Sequence, residues 1–310
     1  MERTALRELA EGGLLLTSRA LAAGWPRRSL TRALRAEGWA RLRHGVWVEP
    51  GRDADPVCRL RSMQLSEPRL VVSHWSAADL WLMDTLIRAE ERPVEFIDPG
   101  LTLRRKSAGV RVHRMRLAPS EVVTRQGFRA TSPLRTVTDL LRAGPRDHAV
   151  VAVDSALGYR RVGRTRRAPL TSLQAVTVAL DGSPVGTGTV RACEWLRLCD
   201  PRAGSPAESI ARLRMYDAGL RPESQVELIT PAGRRVVLDF LFRAEGLAVE
   251  IEGYAYHGTR DSHRRDVARF NQIAQCPAVR LLLRFTAEDV FHRPEYMLGE
   301  IRAALGLGQR

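Results

Sequence analysis

VVLDFLFRAEGLAVEIEGYAYHGTRDSHRRDVAR, residues 236–269, holds two short apolar runs around a polar tetrapeptide and ends in a charged segment. β-branched and aromatic residues dominate VVLDFLF, RAEG supplies a turn at 243–246, and LAVEIE is a second strand. The segment therefore reads as a β-hairpin followed by a helix. Period-2 alternation puts Val236, Leu238, Phe240 and Phe242 on one face and Asp239 on the other, with Val237 and Leu241. Glu250 and Glu252 share a face of the second strand. With the turn at 243–246, Phe242 pairs with Leu247, and Asp239 then stands opposite Glu250. Their Cβ atoms would lie about 5 Å apart, where like charges destabilise a sheet. A bound divalent cation or a shared proton is the usual reason for such a placement.

The flanks extend this hairpin into a domain. SPAESIARLRM opens a helix with Ser205 as N-cap, Pro206 at the first position and Glu208 at the third. QVELIT adds a strand before the hairpin, DSHRRDVARFNQIAQ is a helix, VRLLLRF a buried strand and PEYMLGEIRAALG a terminal helix. Helix, three antiparallel strands, helix and parallel strand is the core order of the restriction-endonuclease-like PD-(D/E)XK fold, expected over residues 201–310. Hydrolysing a phosphodiester needs a cation, an activated water and an oriented phosphate. Asp239 and Glu250 are the expected ligands for magnesium, with manganese as a substitute. Glu252 is a further ligand or a water-positioning base. Glu208 is either an outer ligand or the acid of a capping box, and the two roles are compatible.

SPAES, GLRPESQV, VVLDF, VEIEGYAYH, RRDVARFNQ and LLLRFTAEDV resemble a bacterial family related to very-short-patch-repair endonucleases. The resemblance implies a nuclease site of Asp239, Glu250 and His257, with Asp266 and Arg269 at the matching D-x-x-R. Two positions depart from the pattern. The usual lysine is Glu252, and no lysine lies anywhere in this domain, so His257 or an arginine must take any positive role. Gln275-Cys276-Pro277-Ala278 replaces the usual Gly-Trp before the last strand. Outside the resemblance, His257 reads equally as a hydrogen-bonded loop histidine, and Asp266 with Arg269 as a surface ion pair.

Residues 1–50 read as three helices and a hairpin, the order of a winged helix-turn-helix. The first helix carries Leu6, Leu9 and Ala10, the second is SRALAAG capped by Thr17 or Ser18, and the third is RRSLTRALRAEG. Arg27, Arg28, Arg32 and Arg35 on the third helix and Arg41 and Arg43 on the wing are expected to contact DNA, a solvated basic face being the alternative. TSRALAAG and RRSLTRALRAEGWARLRHGVWV resemble the winged-helix domain of AbiEi-family antitoxins. That resemblance implies binding to promoter DNA. It also opens a second function, an antitoxin or repressor with an inactive nuclease-like domain and a toxin partner encoded nearby. Residues 51–200 read as a mixed α/β and helical connector. In it, Arg104, Arg105, Lys106, Arg111, Arg114 and Arg116 form a second basic cluster, either a solvated sheet edge or a contribution to DNA binding, and YRRVGRTRRAP is a charged loop that links or orders on polyanions.

Composition frames these readings. The chain has 310 residues, a formal charge of +14, 44% hydrophobic and 27% charged residues. These values describe a soluble globular protein long enough for two or three domains, and the order of its elements makes it α/β (α+β). The excess of base points to nucleic acid, DNA ahead of RNA. Four cysteines show no CxxC pairing, so neither a structural zinc site nor a redox motif is indicated. No apolar run approaches the roughly 18 residues that span a bilayer, and the N-terminus lacks a secretory pattern, so a cytoplasmic location without membrane partners is expected.

Overall fold

A computed structural model describes residues 4–102, 105–107, 109–182, 188–252 and 268–307. The protein is a mixed α+β chain in two compact units, Met1–Trp81 with Ile87–Thr136, and Leu82–Leu86 with Val137–Arg310. This division differs from the expected boundaries at 50 and 200, because buried faces cross both. Leu14, Val46 and Val48 of the winged segment share a cluster with Cys58. Val150 and Val151, from the expected connector, share one with Ile210 and Phe240.

The first unit opens with β1 (Leu14–Leu16), α1 (Thr17–Ala22), α2 (Arg27–Ala36), β2 (Ala40–Arg43) and β3 (Val46–Val48). The three strands form one sheet in the order β1-β3-β2. The expected first helix is instead a pair of turns, Glu8 N–H donating to Ala5 O and Ala10 N–H to Arg7 O. A helix this short gains too few hydrogen bonds to offset nucleation, and Gly12 and Gly13, both at positive φ, turn the following leucines onto β3. Thr17 does not cap α1; its hydroxyl accepts from Trp47 Nε1 at 3.2 Å. α2 ends as Gly38 enters the left-handed region (φ 82°), with Trp39 N–H closing on Leu34 O.

The rest of this unit comprises α3 (Pro56–Ser66), β4 (Val71–Val72), α4 (His74–Leu80), β5 (Val94–Asp98), β6 (Arg105–Ser107), β7 (Val110–Arg114), β8 (Val122–Arg125) and β9 (Phe128–Thr131). Its strands lie in the order β6-β7-β5-β4-β9-β8, with β5–β7 and β4–β9 parallel. Beyond β9 the chain enters α5 (Pro133–Ala143), where Arg135 N–H donates to Ser132 Oγ.

The second unit contains α6 (Arg146–Leu157), β10 (Arg160–Val162), β11 (Thr165–Arg167), α7 (Leu173–Asp181), α8 (Thr189–Leu196), α9 (Pro206–Asp217), β12 (Glu223–Ile229), β13 (Arg235–Phe242) and β14 (Leu247–Glu252). After these come α10 (helical over 268–274 among the described residues), β15 (Leu281–Thr286), α11 (Ala287–His292) and α12 (Pro294–Ala304). The arginine-rich loop is therefore a hairpin, with Arg160 opposite Arg167. The sheet runs β12-β13-β14-β15, antiparallel except for β14–β15. Phe240, Phe242, Val249 and Phe285 pack with Ile210, Val290 and Met297 of the helices on one face. Leu238, Leu241 and Ala248 pack with Ile273, Cys276 and Val279 on the other. Helix, sheet and helix thus form three layers.

Strict alternation along β13 does not hold. Phe240 and Phe242 join one cluster while Val236 and Leu238 join the other, so the period slips at Asp239. The partner strand shows why: Gln225, which would face Asp239, has φ 51°, and the β12–β13 register resumes only at Val226↔Leu238.

Candidate functional site

The turn at 243–246 sets Phe242↔Leu247, Leu241↔Ala248 and Phe240↔Val249. Pairing stops there, although β14 continues beside β15 to Glu252↔Thr286. The sheet forks at the position where Asp239 and Glu250 would meet, and their side chains replace the lost backbone bonds. Asp239 N–H donates to Glu250 Oε1 at 3.2 Å, and Ile251 N–H donates to Asp239 Oδ2 at 2.8 Å.

Glu208 joins from α9. Ser205 Oγ accepts from Glu208 N–H at 3.2 Å, so the cap forms. The carboxylate goes elsewhere: Oε2 accepts from Gly204 N–H at 2.7 Å and from Gln225 Nε2 at 2.9 Å. The same Gln225 nitrogen reaches Asp239 Oδ1 at 3.2 Å. One neutral amide thereby ties two carboxylates from different elements. Gln225 was not among the expected site residues; an unremarkable glutamine in a strand carries no sequence signal, and only the left-handed backbone marks it. Gly204 is constrained as well, since a Cβ there would stand 3.0 Å from Glu208 Oε1.

Arg269, on α10, gives the cluster its cation: one Nη bonds Glu250 Oε2 and the other donates to Val237 O at 2.7 Å. Glu252 is drawn away, paired to Arg284 of β15, whose guanidinium lies 3.5 Å from the centre of the Phe270 ring. Asp239, Glu250 and Glu208 are thus brought together, and Glu252 stands beside them in its own ion pair. His257 and Asp266 lie outside the described residues.

Glu208 is 9% and Glu250 3% exposed. Burial, and then the Asp239 carboxylate, push both up to about 7, despite hydrogen bonds from Gly204 and Arg269 respectively. Asp239 is also raised by burial, opposed by the Ile251 N–H, Arg269 and Gln225. Of the three carboxyls the Arg269 guanidinium bonds Glu250 alone, so the cluster holds more negative charge than its surroundings compensate, and Glu208 and Glu250 titrate near neutral pH. Asp239 and Glu250 side by side offer hard oxygen donors of the kind a divalent cation takes once they are deprotonated. No group of three or more His, Cys, Asp or Glu side chains forms a metal cage among the described residues.

In the first unit, Arg27, Arg28, Arg32, Arg35 and Arg41 are exposed. Arg27, Arg35 and Arg41 line a groove of about 510 Å³ with Thr31, His44 and Trp47. Arg43 turns inward, Nη2 donating to Ser62 O and Ser66 Oγ, both at 2.6 Å, and so fastens the wing to α3.

No family model matches the chain. It is similar to two proteins of Mycobacterium tuberculosis, uncharacterized protein MT2308 of strain CDC 1551 / Oshkosh and uncharacterized protein Rv2248 of strain H37Rv. Each is 28% identical over 251 residues, covering 80% of this chain and 86% of the relative. Among solved structures, the crystal structure of RV2827C protein from Mycobacterium tuberculosis is similar over 73% of this chain and 87% of that one, at 20% identity and a TM-score of 0.42. No helix among the described residues is long and apolar enough to cross a membrane.

Proposed function

We propose that the second unit is a metal-dependent nuclease-like domain acting on DNA phosphodiesters, and that the winged segment of the first unit binds DNA. The observation that carries this reading is the fork itself: two strands part, and a half-buried aspartate and a buried glutamate fill the gap with less cationic compensation than they need. Asp239 and Glu250 would hold the cation directly, with Glu208 on the adjacent helix an outer ligand. Such a cation supplies charge neutralisation and an acidified water. The chain's own contribution is positional. Gln225 spaces Glu208 from Asp239, the Ile251 N–H orients Asp239, and Arg269 holds Glu250 against the strand. Among the described residues, Arg269 is the guanidinium bonded to Glu250 in a domain without lysine, the role left open by Glu252. In the first unit, the exposed arginines of α2 and the wing would contact phosphates and guanine edges.

Plasmid nicking tests this with magnesium or manganese, comparing wild type with Asp239→Ala. Expected are nicking by wild type and a loss of at least about a hundredfold in the variant. Equal activity in both proteins would remove the nuclease reading.

Arg269 on Glu250 and Glu252 in the lysine position favour a second reading, in which the fork is a scaffold within an antitoxin or repressor. That reading predicts no nicking by either protein and binding to the protein's own promoter without metal, weakened by Arg28→Ala with Arg32→Ala.

A further inference from the structure

The hairpin β10–β11 concentrates five arginines between Arg160 and Arg167, and they divide into two sets. Arg160 and Arg167 are anchors. Arg160 is 6% exposed, with Nε 2.7 Å from Asp84 Oδ2, and Arg167 Nη2 donates to Ser155 O at 2.6 Å. A two-stranded hairpin is marginal alone, and these bonds hold it to α6 and to residues 82–86 of the same unit. Arg161, Arg164 and Arg166 point into solvent and have no acidic partner among the described residues. Arg166 lies 4.0 Å over the ring of Tyr159, a planar cation on an aromatic support. Exposed arginines without acids are not what secures this hairpin, since the anchors already do that.

The root of the hairpin adjoins the acid cluster. A Cβ on Gly158, two residues before β10, would stand 2.4 Å from Pro201 O and 2.8 Å from Arg160 Nη1, so the chain entering the hairpin packs closely on the turn at 200–203. Gly204 follows that turn, and its N–H holds the Glu208 carboxylate. Arg160 also tempers Glu208, behind the larger effects of burial, Asp239, Gly204 and Ser205.

We propose that β10–β11 is the substrate-backbone arm of the second unit, with Arg161, Arg164 and Arg166 contacting the phosphates of duplex DNA beside the Glu208 edge of the acid cluster. It rests on the nuclease reading for its purpose, but it is a claim about binding and is tested as one. The full chain carrying Arg28→Ala and Arg32→Ala serves as the background, which reduces the contribution of α2. Into it go Arg161→Ala, Arg164→Ala and Arg166→Ala together, or the same three positions changed to lysine. Fluorescence anisotropy with a labelled random-sequence duplex is followed against salt. Each phosphate contact contributes about 0.9 to the slope of log affinity against log salt, so the alanine set is expected to flatten it by about 2 to 3. The lysine set should keep most of the slope, because the charge remains. Thermal unfolding of both sets should match the background, since the three side chains are exposed. An unchanged slope in the alanine set overturns the proposal. A flattened slope without nicking by any protein upholds the arm and rejects the nuclease reading. Nicking with an unchanged slope does the reverse.

Discussion

Glu95 in the first unit and Glu250 in the second are both strand glutamates, 2% and 3% exposed, yet they sit in opposite electrostatic states. Glu95 accepts from Arg111 Nη1 at 3.0 Å and Trp75 N–H at 3.2 Å, and His113 Nε2 lies 3.4 Å away. Burial alone would raise it, but the bond to His113, the charges of His74 and His113 and the Trp75 N–H carry it below the ordinary glutamate value. Glu250 has Arg269, but it also has Asp239, and burial with that second carboxylate pushes it up to about 7. The difference teaches that burial does not mark a functional acid. An acid compensated on every side is a structural tie; one that shares its cation with other acids is kept at a cost and is a candidate for chemistry.

The same substitution should therefore have opposite signs in the two places, and this is the largest effect expected. Glu250 has a reference value of 4.5 and a folded value of about 7. Its contribution to stability is fully present below pH 4.5 and lost as pH rises through 7, by an amount of order 3 kcal/mol. Glu250→Gln removes that loss while giving up one good acceptor, about 1 kcal/mol. At pH 8 without metal, the variant should be about 2 kcal/mol more stable in denaturant unfolding, and any thermal shift with magnesium should vanish. Glu95→Gln discards charge-assisted bonds that nothing replaces, so it should cost about 2 kcal/mol at the same pH. Destabilisation by both substitutions would break the comparison.

Much of the second unit was legible in the sequence. The turn RAEG, the Phe242↔Leu247 register and the meeting of Asp239 with Glu250 all follow from local composition and strand periodicity. What periodicity could not supply was the fork. It comes from Gln225 at positive φ and from β14 following β15 instead of β13, both tertiary choices. The same limit explains the Arg284–Glu252 pair, set by a crossover strand, and Arg43, drawn inward by α3. The Glu95 cluster went unseen because its members lie on three elements and carry no motif: His74 at φ 50° begins α4, and its ring stacks on His113 of β7 at 4.0 Å between centroids.

That stack provides a second, somewhat smaller test. Burial, and then the charge of His113, lower His74 from 6.5 to about 3. A base depressed in this way stabilises the fold above pH 6.5, and that stability drains away as pH falls toward 3. Between pH 7 and 5 the two regions therefore respond in opposite directions, the first unit weakening while Glu208 and Glu250 ease. Hydrogen exchange resolved by residue would read them separately. His74→Asn, which tolerates a left-handed backbone, should remove up to about 2 kcal/mol of the acid sensitivity in the first unit by pH 5. It should leave the second unit's exchange unchanged.

The smallest effect lies in the arginines. Arg269 and Arg111 both pair with a buried glutamate, and their side chains are 38% and 44% exposed. Arg111→Gln leaves Glu95 with His113 and the Trp75 N–H, so the loss should stay under about 1 kcal/mol and shrink further in high salt, as for other exposed partners. Arg269→Gln leaves Glu250 facing Asp239 with no described guanidinium to offset it. Its cost appears less in stability than in protonation: Glu250 should titrate higher, moving the pH midpoint of any magnesium-induced thermal shift to more alkaline values. If Arg111→Gln instead proves as costly as Glu95→Gln, then the guanidinium, and not the full set of partners, holds Glu95 ionised, and the contrast with Glu250 reduces to one salt bridge against another.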